Sequence, residues 1–282
     1  NNPACPLPVE DLDANIICIT HGHSDHFGDT MEIANNTKAT LVANHEISLF
    51  LGEQGFDCVS MNTGGSVSIQ GIKITMLDAK HSSSIDFTEE IRPAGDPGSF
   101  LFTFEDGTKV FHAGDTGLFS DMENVIGKIY KPDIAMVPIG DKFTMGPFEG
   151  ALAAMWLAPK VVIPMHYNTF PVIEQDPAIF SNFVNQLHPN VEVVIMNPLE
   201  YYKPDFEKEE YRTKKKLKKP ERLDEMVEIV RKLAKGMEEG KYLSTVMEEA
   251  ACLPEYAIGL LKVGDTYLGT SGSHQTIDKQ IF

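Results

Sequence analysis

The stretch Thr20-His21-Gly22-His23-Ser24-Asp25-His26 decides how this 282-residue chain is interpreted. It follows the apolar run Ile16–Thr20 (IICIT), which predicts a strand, and it places four potential metal ligands within six residues. Alternate residues of an extended chain share a side, so His21 and His23 are expected to point one way, while a turn directs Asp25 and His26 another way. One short loop is therefore predicted to serve two adjacent metal ions. Imidazole and carboxylate ligands favour zinc, manganese or iron over calcium or magnesium.

Further potential ligands stand where other predicted strands end. His81 follows one apolar run, Asp115 lies just after a second, between Gly114 and Gly117, and His166 ends a third. A lone histidine at a strand end is more often structural. In company with the first motif, these residues are expected to complete two coordination spheres.

The remaining pattern predicts a mixed α/β fold with buried strands. Eight short apolar runs predict strands, at Ile16–Thr20, Thr40–Ala43, Ile72–Leu77, Phe100–Phe104, Lys109–His112, Ile134–Pro138, Val161–Met165 and Val191–Met196. Segments between them predict helices, at Asp29–Asn35, His45–Gln54, Met122–Tyr130, Gly150–Leu157 and Pro177–Leu187.

Composition and charge exclude several classes of protein. The content of 42% hydrophobic and 23% charged residues is that of a folded globular protein, and no apolar run reaches the length of a membrane span. Residues 1–200 carry 9 Lys/Arg and 26 Asp/Glu, whereas residues 201–282 carry 15 of each. An acidic body is a poor nucleic-acid binder, so we expect a small-molecule substrate. The four cysteines are far apart and form no CxxC pair, which favours a cytoplasmic location over a disulfide framework.

The composition and the hydrophobic pattern of the chain change after residue 200. A basic run, Tyr211–Lys219, precedes two stretches of helical pattern, Glu221–Glu239 and Leu243–Leu261. The first of these has an apolar face that must be buried, which favours docking or dimerisation and hence a homo-oligomer. We therefore predict one mixed α/β domain over residues 1–200 and a linker with a helical C-terminal extension over residues 201–282.

The chain resembles the metallo-β-lactamase-fold hydrolases in four features that follow one another in the order typical of that family. These features are the motif THxHxDH, the strand-end His81, the Gly114-Asp115-Thr116 segment and the strand-end His166. The resemblance covers residues 11–199. Within this range the sequence is similar in detail to the UPF-type metal-dependent hydrolases, which are in turn similar to the L-ascorbate 6-phosphate lactonases. It implies an αββα sandwich. Five longer strings carry it: MNTGG (61–65), KHSSS (80–84), HAGDTGLF (112–119), FTMGP (143–147) and PMHYNTFP (164–171).

The resemblance also implies the roles of the site residues. It implies a first metal held by His21, His23 and His81, a second held by Asp25, His26 and His166, and Asp115 as the bridge. A hydroxide shared by the two ions would then be the nucleophile, with no serine or cysteine required. Asp25 is expected to orient this hydroxide and relay a proton to the leaving group. The implied cofactors are two divalent ions, with Zn²⁺ expected first and Mn²⁺, Ni²⁺ or Fe as alternatives.

Other polar residues near these positions are weaker candidates. Asn168, which we include with Asp25 and Asp115 as catalytic, and Tyr167 could each donate to a substrate oxygen or serve only in a turn. Loop residues beside the ligands are candidates for the pocket wall, and His112 is expected to support the ligands or pack rather than bind metal. The pocket candidates are Ser82, Ser83, Lys142 and Thr144, and the histidines expected to have ordinary structural or surface roles are His45, His188 and His274.

The chain departs from the family pattern before the first motif. Family members normally have two or three strands upstream, whereas twenty residues precede His21 here. We expect the first sheet to lack its opening strands. The alternatives are a truncated or different gene start, tail helices that cover the open edge, or a permuted arrangement in which Thr266–Ser271 supplies the strand.

The sequence is compatible with three functions. The favoured one is a dinuclear metal-dependent hydrolase that acts on a small phosphodiester, lactone or ester. The alternatives are a di-iron or sulfur-handling oxidoreductase of the same fold and a non-catalytic metal-binding scaffold.

Overall fold

Short apolar and β-branched runs form most of the strands in the computed structural model, which describes residues 5–206. In this part of the chain the strands are β1 Ile16–Cys18, β2 Thr40–Asn44, β3 Cys58–Met61, β4 Ser66–Ile69, β5 Ile72–Asp78, β6 Ser84–Ile85, β7 Arg92–Pro93, β8 Gly98–Thr103, β9 Lys109–His112, β10 Ile134–Pro138, β11 Val161–Met165 and β12 Glu192–Val193.

These strands form two main sheets and one hairpin. The first sheet has the order β1-β2-β3 and is parallel throughout. The second has the order β12-β11-β10-β9-β8-β5-β4, parallel from β12 to β9 and antiparallel from β9 to β4. Strands β6 and β7 pair only with each other in the described residues, as an antiparallel hairpin.

The helices connect these strands and cover the outer faces of the sheets. The α-helices are α1 Ser24–Phe27, α2 Thr30–Thr37, α3 His45–Glu53, α4 Pro147–Leu157 and α5 Pro177–Leu187. Met122–Tyr130 is a π-helix, and short 3₁₀ turns cover Val9–Asp11 and Pro171–Ile173. Asp176 caps α5 by accepting the N–H of Ala178, and Pro177 occupies the first helical position.

Three apolar clusters define four layers. One cluster, which includes Ile47 and Phe50, lies between α2, α3 and the first sheet. A second, which includes Val42 and Phe100, lies between the two sheets. The third packs the π-helix, α4 and α5 against the far face of the second sheet. The order helix, sheet, sheet, helix is the predicted αββα sandwich.

Several predicted features fall at or beyond the limits of the described structure. In residues 5–206 the first sheet has three strands, and β1 has a neighbour on one side. The predicted helices Glu221–Glu239 and Leu243–Leu261 and the candidate strand Thr266–Ser271 lie outside the described residues. The division at residue 200 therefore stays a prediction. Within the described residues, no helix combines the length and the apolar character needed to cross a membrane.

Candidate metal centre

Four strand ends deliver the candidate ligands to one place. The motif that contains His21 and His23 follows β1, His81 follows β5, Asp115 follows β9 and His166 follows β11. The structure differs from the sequence prediction in two details. Asp25 and His26 lie on the one-turn helix α1 rather than in a loop. The His26 ring also lies beside the His21 ring, with centroids 4.2 Å apart, so the two predicted ligand groups adjoin each other and do not point apart.

Asp115 lies at the centre of the cluster. Its Oδ2 is 3.2 Å from His26 Nε2, 3.3 Å from His166 Nε2 and 3.7 Å from His81 Nε2. Its side chain is almost fully buried, whereas that of Asp25 is 41% exposed. Asp25 Oδ2 lies 3.5 Å from His26 Nε2 and 3.6 Å from His166 Nε2, so it joins the buried cluster to solvent.

The ligand atoms divide into overlapping groups. His21, His23 and His81 form one group and Asp25, His26 and His166 another, each with its ligand atoms within 4.8 Å of one another. A third group of this kind joins His21 and His26 to Asp115. The two sets implied by the resemblance are thus brought together, with Asp115 next to both, and their roles as ligands are proposals developed below.

The cluster fits divalent metal ions by its chemistry and spacing. Among the described residues, His21 Nε2 and Asp115 Oδ1 are buried without a hydrogen-bond partner, a state that normally costs free energy. His21 Nδ1 lies 3.0 Å from Thr20 Oγ1, and this contact leaves Nε2 free to face the cluster. Tetrahedral zinc with bonds of about 2.0–2.1 Å holds its ligands about 3.3 Å apart, close to the separations around Asp115 Oδ2.

Burial and charge in the metal-free protein keep part of this cluster neutral. Burial, followed by the charge of His26, lowers the pKa of His21 to about 3. Burial alone would lower the pKa of His26, but the Asp115 and Asp25 carboxylates outweigh it and raise the pKa to about 9. Contacts with His166 and His26 hold the pKa of Asp25 far below its usual value. A metal ion at His26 therefore has to displace a proton, whereas one at His21 does not.

The backbone around His166 is shaped for this position. His166 has a φ of 56°, a left-handed conformation that side chains other than glycine rarely adopt. Gly140 follows β10, the strand next to β11, and a Cβ on it would lie 2.3 Å from the carbonyl oxygen of His166. Glycine at 140 thus allows the close approach that places the imidazole beside Asp115.

The weaker candidates have mixed surroundings. Ser82 Oγ is 3.4 Å from His23 Nε2, which places it beside a candidate ligand. Asn168 uses its Oδ1 to accept the N–H of Gln175, a turn contact that leaves only its amide NH₂ for a substrate. Tyr167 is partly buried against the helix-covered core, and burial raises the pKa of its hydroxyl.

The other histidines and loop residues lie around the centre or apart from it. His112 accepts the N–H of Gly114 through Nδ1, and burial lowers its pKa to about 4, which agrees with a supporting role. Lys142 and Thr144 lie in the loop that returns to Thr116 through the N–H of Met145. His45 Nδ1 is 3.2 Å from Ser60 Oγ, at the start of α3. His188 follows α5 and His274 is outside the described residues.

A cavity of about 420 Å³ touches the cluster through His81. Its other lining residues come from the end of β5 and from the segment before β8, and include Lys80, Asp78 and Asp96. This volume is within the range of sites for small molecules. Sequence reasoning did not identify Thr20 or Gly140 as parts of the centre, although Thr20 directly precedes the first ligand.

Comparison with known proteins identifies the family of this chain. The family model described as "Beta-lactamase superfamily domain" matches residues 1–167. A UPF0173 metal-dependent hydrolase of Methanobrevibacter smithii is 64% identical over 202 residues, which cover 72% of this chain and 84% of the relative. One from Methanosphaera stadtmanae is 55% identical over 206 residues, which cover 73% of this chain and 88% of the relative.

A solved structure shows the same architecture. Igni18, a metallo hydrolase from the archaeon Ignicoccus hospitalis, superposes with a TM-score of 0.63 at 37% identity. The match covers 72% of this chain and 88% of that one. The chain therefore belongs to the metallo-β-lactamase superfamily and, within it, to the family of UPF0173 metal-dependent hydrolases.

Proposed function

We propose that this family member is a dinuclear metal-dependent hydrolase of a small phosphodiester, lactone or ester. The observation that carries the proposal is the convergence of three imidazole Nε2 atoms on one carboxylate oxygen, Asp115 Oδ2, at 3.2–3.7 Å. Hydrogen bonding does not account for such a cluster, because Asp115 Oδ1 and His21 Nε2 stay without partners among the described residues. Two cations bound between these groups would give both unpartnered atoms a partner.

The residues of the two groups have distinct roles in this proposal. His21, His23 and His81 would hold the first ion, Asp25, His26 and His166 would hold the second, and Asp115 would contribute to both. When bound, divalent ions lower the pKa of coordinated water towards about 7 and polarise the oxygen of the scissile bond. Asp25, as the exposed member of the cluster, orients the attacking water and passes a proton to the leaving group.

A small substrate fits the surroundings of the centre. The cavity beside His81 has a polar lining and a volume of about 420 Å³, which is within the range of small-molecule sites. The excess of acidic residues over residues 1–200 disfavours a long polyanion such as RNA. Asn168 remains the proposed donor to a substrate oxygen through its amide NH₂.

The histidine and carboxylate donors favour zinc. A homo-oligomer in the cytoplasm stays a prediction from the sequence. Light scattering on the full chain measures the assembly directly.

Metal analysis combined with a substrate screen tests the function. The protein is loaded separately with zinc, manganese, nickel or iron and assayed on bis-p-nitrophenyl phosphate, p-nitrophenyl esters and a panel of lactones. We expect two metal equivalents and turnover in at least one substrate class. His23→Ala and Asp115→Asn should remove most activity. The Asp115 variant should also bind about one metal equivalent fewer than the wild type.

His45→Ala is the matched control, because His45 is a histidine that contacts Ser60 and lies outside the three ligand groups. It should keep both ions and full activity. Two bound ions without turnover for any metal or substrate would support the scaffold alternative. Oxygen-dependent chemistry by a coloured di-iron sample would support the oxidoreductase.

A further inference from the structure

The hairpin β6–β7 and the segments beside it lie against the motif that carries four of the ligands. The chain runs from His81 directly into this hairpin, and the hairpin ends shortly before Ala94. Gly22 donates its N–H to Ser83 Oγ at 3.2 Å, and Ser83 Oγ donates to the carbonyl of Ala94 at 3.2 Å. A Cβ on Gly22 would lie 2.6 Å from Ala94 Cβ, so the two segments are in close backbone contact.

Asp86 contacts the motif at the point where α1 begins. Its Oδ1 accepts the N–H of Ser24 at 2.8 Å. Ser24 is the first residue of α1, and N–H groups in the first turn of a helix have no partner within the helix. A single helical turn is not stable alone, so the orientation of α1 depends on contacts from outside it. Asp25 and His26, which follow Ser24, take their direction from this turn.

Phe87 holds the other end of the same turn. Its ring lies 4.8 Å from that of Phe27 and 6.0 Å from that of Phe50. Phe27 is the last residue of α1 and is buried. Consecutive residues of the hairpin loop therefore fix the start and the end of the helical turn.

We propose, on the basis of the function proposed above, that Asp86 is a positioning residue for the second metal site. Its carboxylate fixes α1 so that Asp25 and His26 face His166. Asp86 lies outside the three ligand groups, so it acts only through the backbone of Ser24. His21 and His23 precede α1, and Gly22 between them is held by Ser83. His23 is also the N-cap of α1, where its carbonyl accepts the N–H of Phe27 at 2.8 Å, whereas Asp25 and His26 lie within the turn itself. Loss of Asp86 should therefore weaken the second site more than the first.

Cobalt titration of the full-length metal-free chain tests this proposal without an activity assay. Visible absorption of bound Co²⁺ reports the geometry of each site, and calorimetry gives the two affinities. Asp86→Ala should weaken one of the two binding steps about tenfold, since loss of such supporting contacts typically costs 10–100-fold in metal affinity. Asp86→Asn keeps an oxygen acceptor and should restore most of the loss.

Asp106→Ala is the matched control. Asp106 is also exposed and accepts a backbone N–H, that of Thr108 at 2.9 Å, in the turn between β8 and β9. It should bind both ions as the wild type does. If the wild type binds two ions and Asp86→Ala binds them equally well, or binds both with equally weakened affinity, the role of Asp86 is overturned. The proposed function is then unaffected. A wild-type chain that binds no metal overturns the proposed function and this role together.

Discussion

Replacement of Gly140 by alanine should remove one metal ion while the fold persists. The new Cβ would lie 2.3 Å from the carbonyl oxygen of His166, more than 1 Å inside the 3.4 Å at which ordinary van der Waals contact begins. It would also lie 3.2 Å from Ile173 Cβ and 3.3 Å from His166 Nδ1. Since these neighbours surround the methyl group, His166 has to move by about 1 Å, whereas metal sites tolerate deviations of about 0.2 Å.

We expect Gly140→Ala to bind one equivalent of metal in place of two and to lose about 1–3 kcal/mol of stability through overpacking. Activity should fall about a hundredfold, the usual effect of a 1 Å misplacement. Elemental analysis, thermal unfolding and the hydrolase assay measure these three quantities. Gly52→Ala is the control, because Gly52 lies in α3 with open space around it. The free energy of unfolding of this variant should rise by about 0.5–1 kcal/mol. Two tightly bound ions in Gly140→Ala would refute the link between Gly140 and His166.

Four further predictions concern pH, metal removal and the core. Metal affinity should rise up to about tenfold per pH unit towards pH 9, because in the metal-free protein His26 holds a proton with its pKa raised to about 9; calorimetry that shows a flat profile would contradict this. The same proton stabilises the metal-free fold below pH 6.5, and unfolding at increasing pH should show this stabilisation lost through pH 9. Chelation should lower the melting temperature, since it leaves buried atoms of His21 and Asp115 unpartnered, and an unchanged melting temperature would count against a bound metal. Phe180→Ala should cost about 3–5 kcal/mol in chemical denaturation and leave metal content intact, because Phe180 is fully buried in α5 away from the ligands.

The apolar strands of the second sheet were predictable because both faces of that sheet are buried. Ile134–Pro138 and Val161–Met165 are continuous apolar runs, and their observed bounds equal the predicted ones. Strands β3 and β4 were missed because each is a short sheet edge whose apolar residues are interrupted by serine, once in β3 and at alternate positions in β4. The predicted strand Val191–Met196 is reduced to Glu192–Val193, which pairs at the edge of the sheet.

Local helix geometry was less predictable. The amphipathic pattern of Met122–Tyr130 predicts a helix at the right place, but the i→i+5 bonds of a π-helix leave no distinct signal in so short a segment. The single turn α1 has too few residues to show any period. Pro147 at the first position of α4 marked a start three residues before the one predicted.

The candidate ligands could be predicted because chemistry restricts them to a few residue types at strand ends. Their supports could not, since they depend on contacts between distant parts of the chain. Asp86 and Ser24 are 62 residues apart, and Gly140 contributes only the absence of a side chain. No pattern in one sequence marks such a pair.

The most direct test is a crystal structure of the zinc-loaded protein with anomalous scattering measured at the zinc edge. The account predicts two peaks, one among His21, His23 and His81 and the other among Asp25, His26 and His166, with Asp115 between them. A map without a peak in this cluster, or with zinc only at other residues, would contradict it.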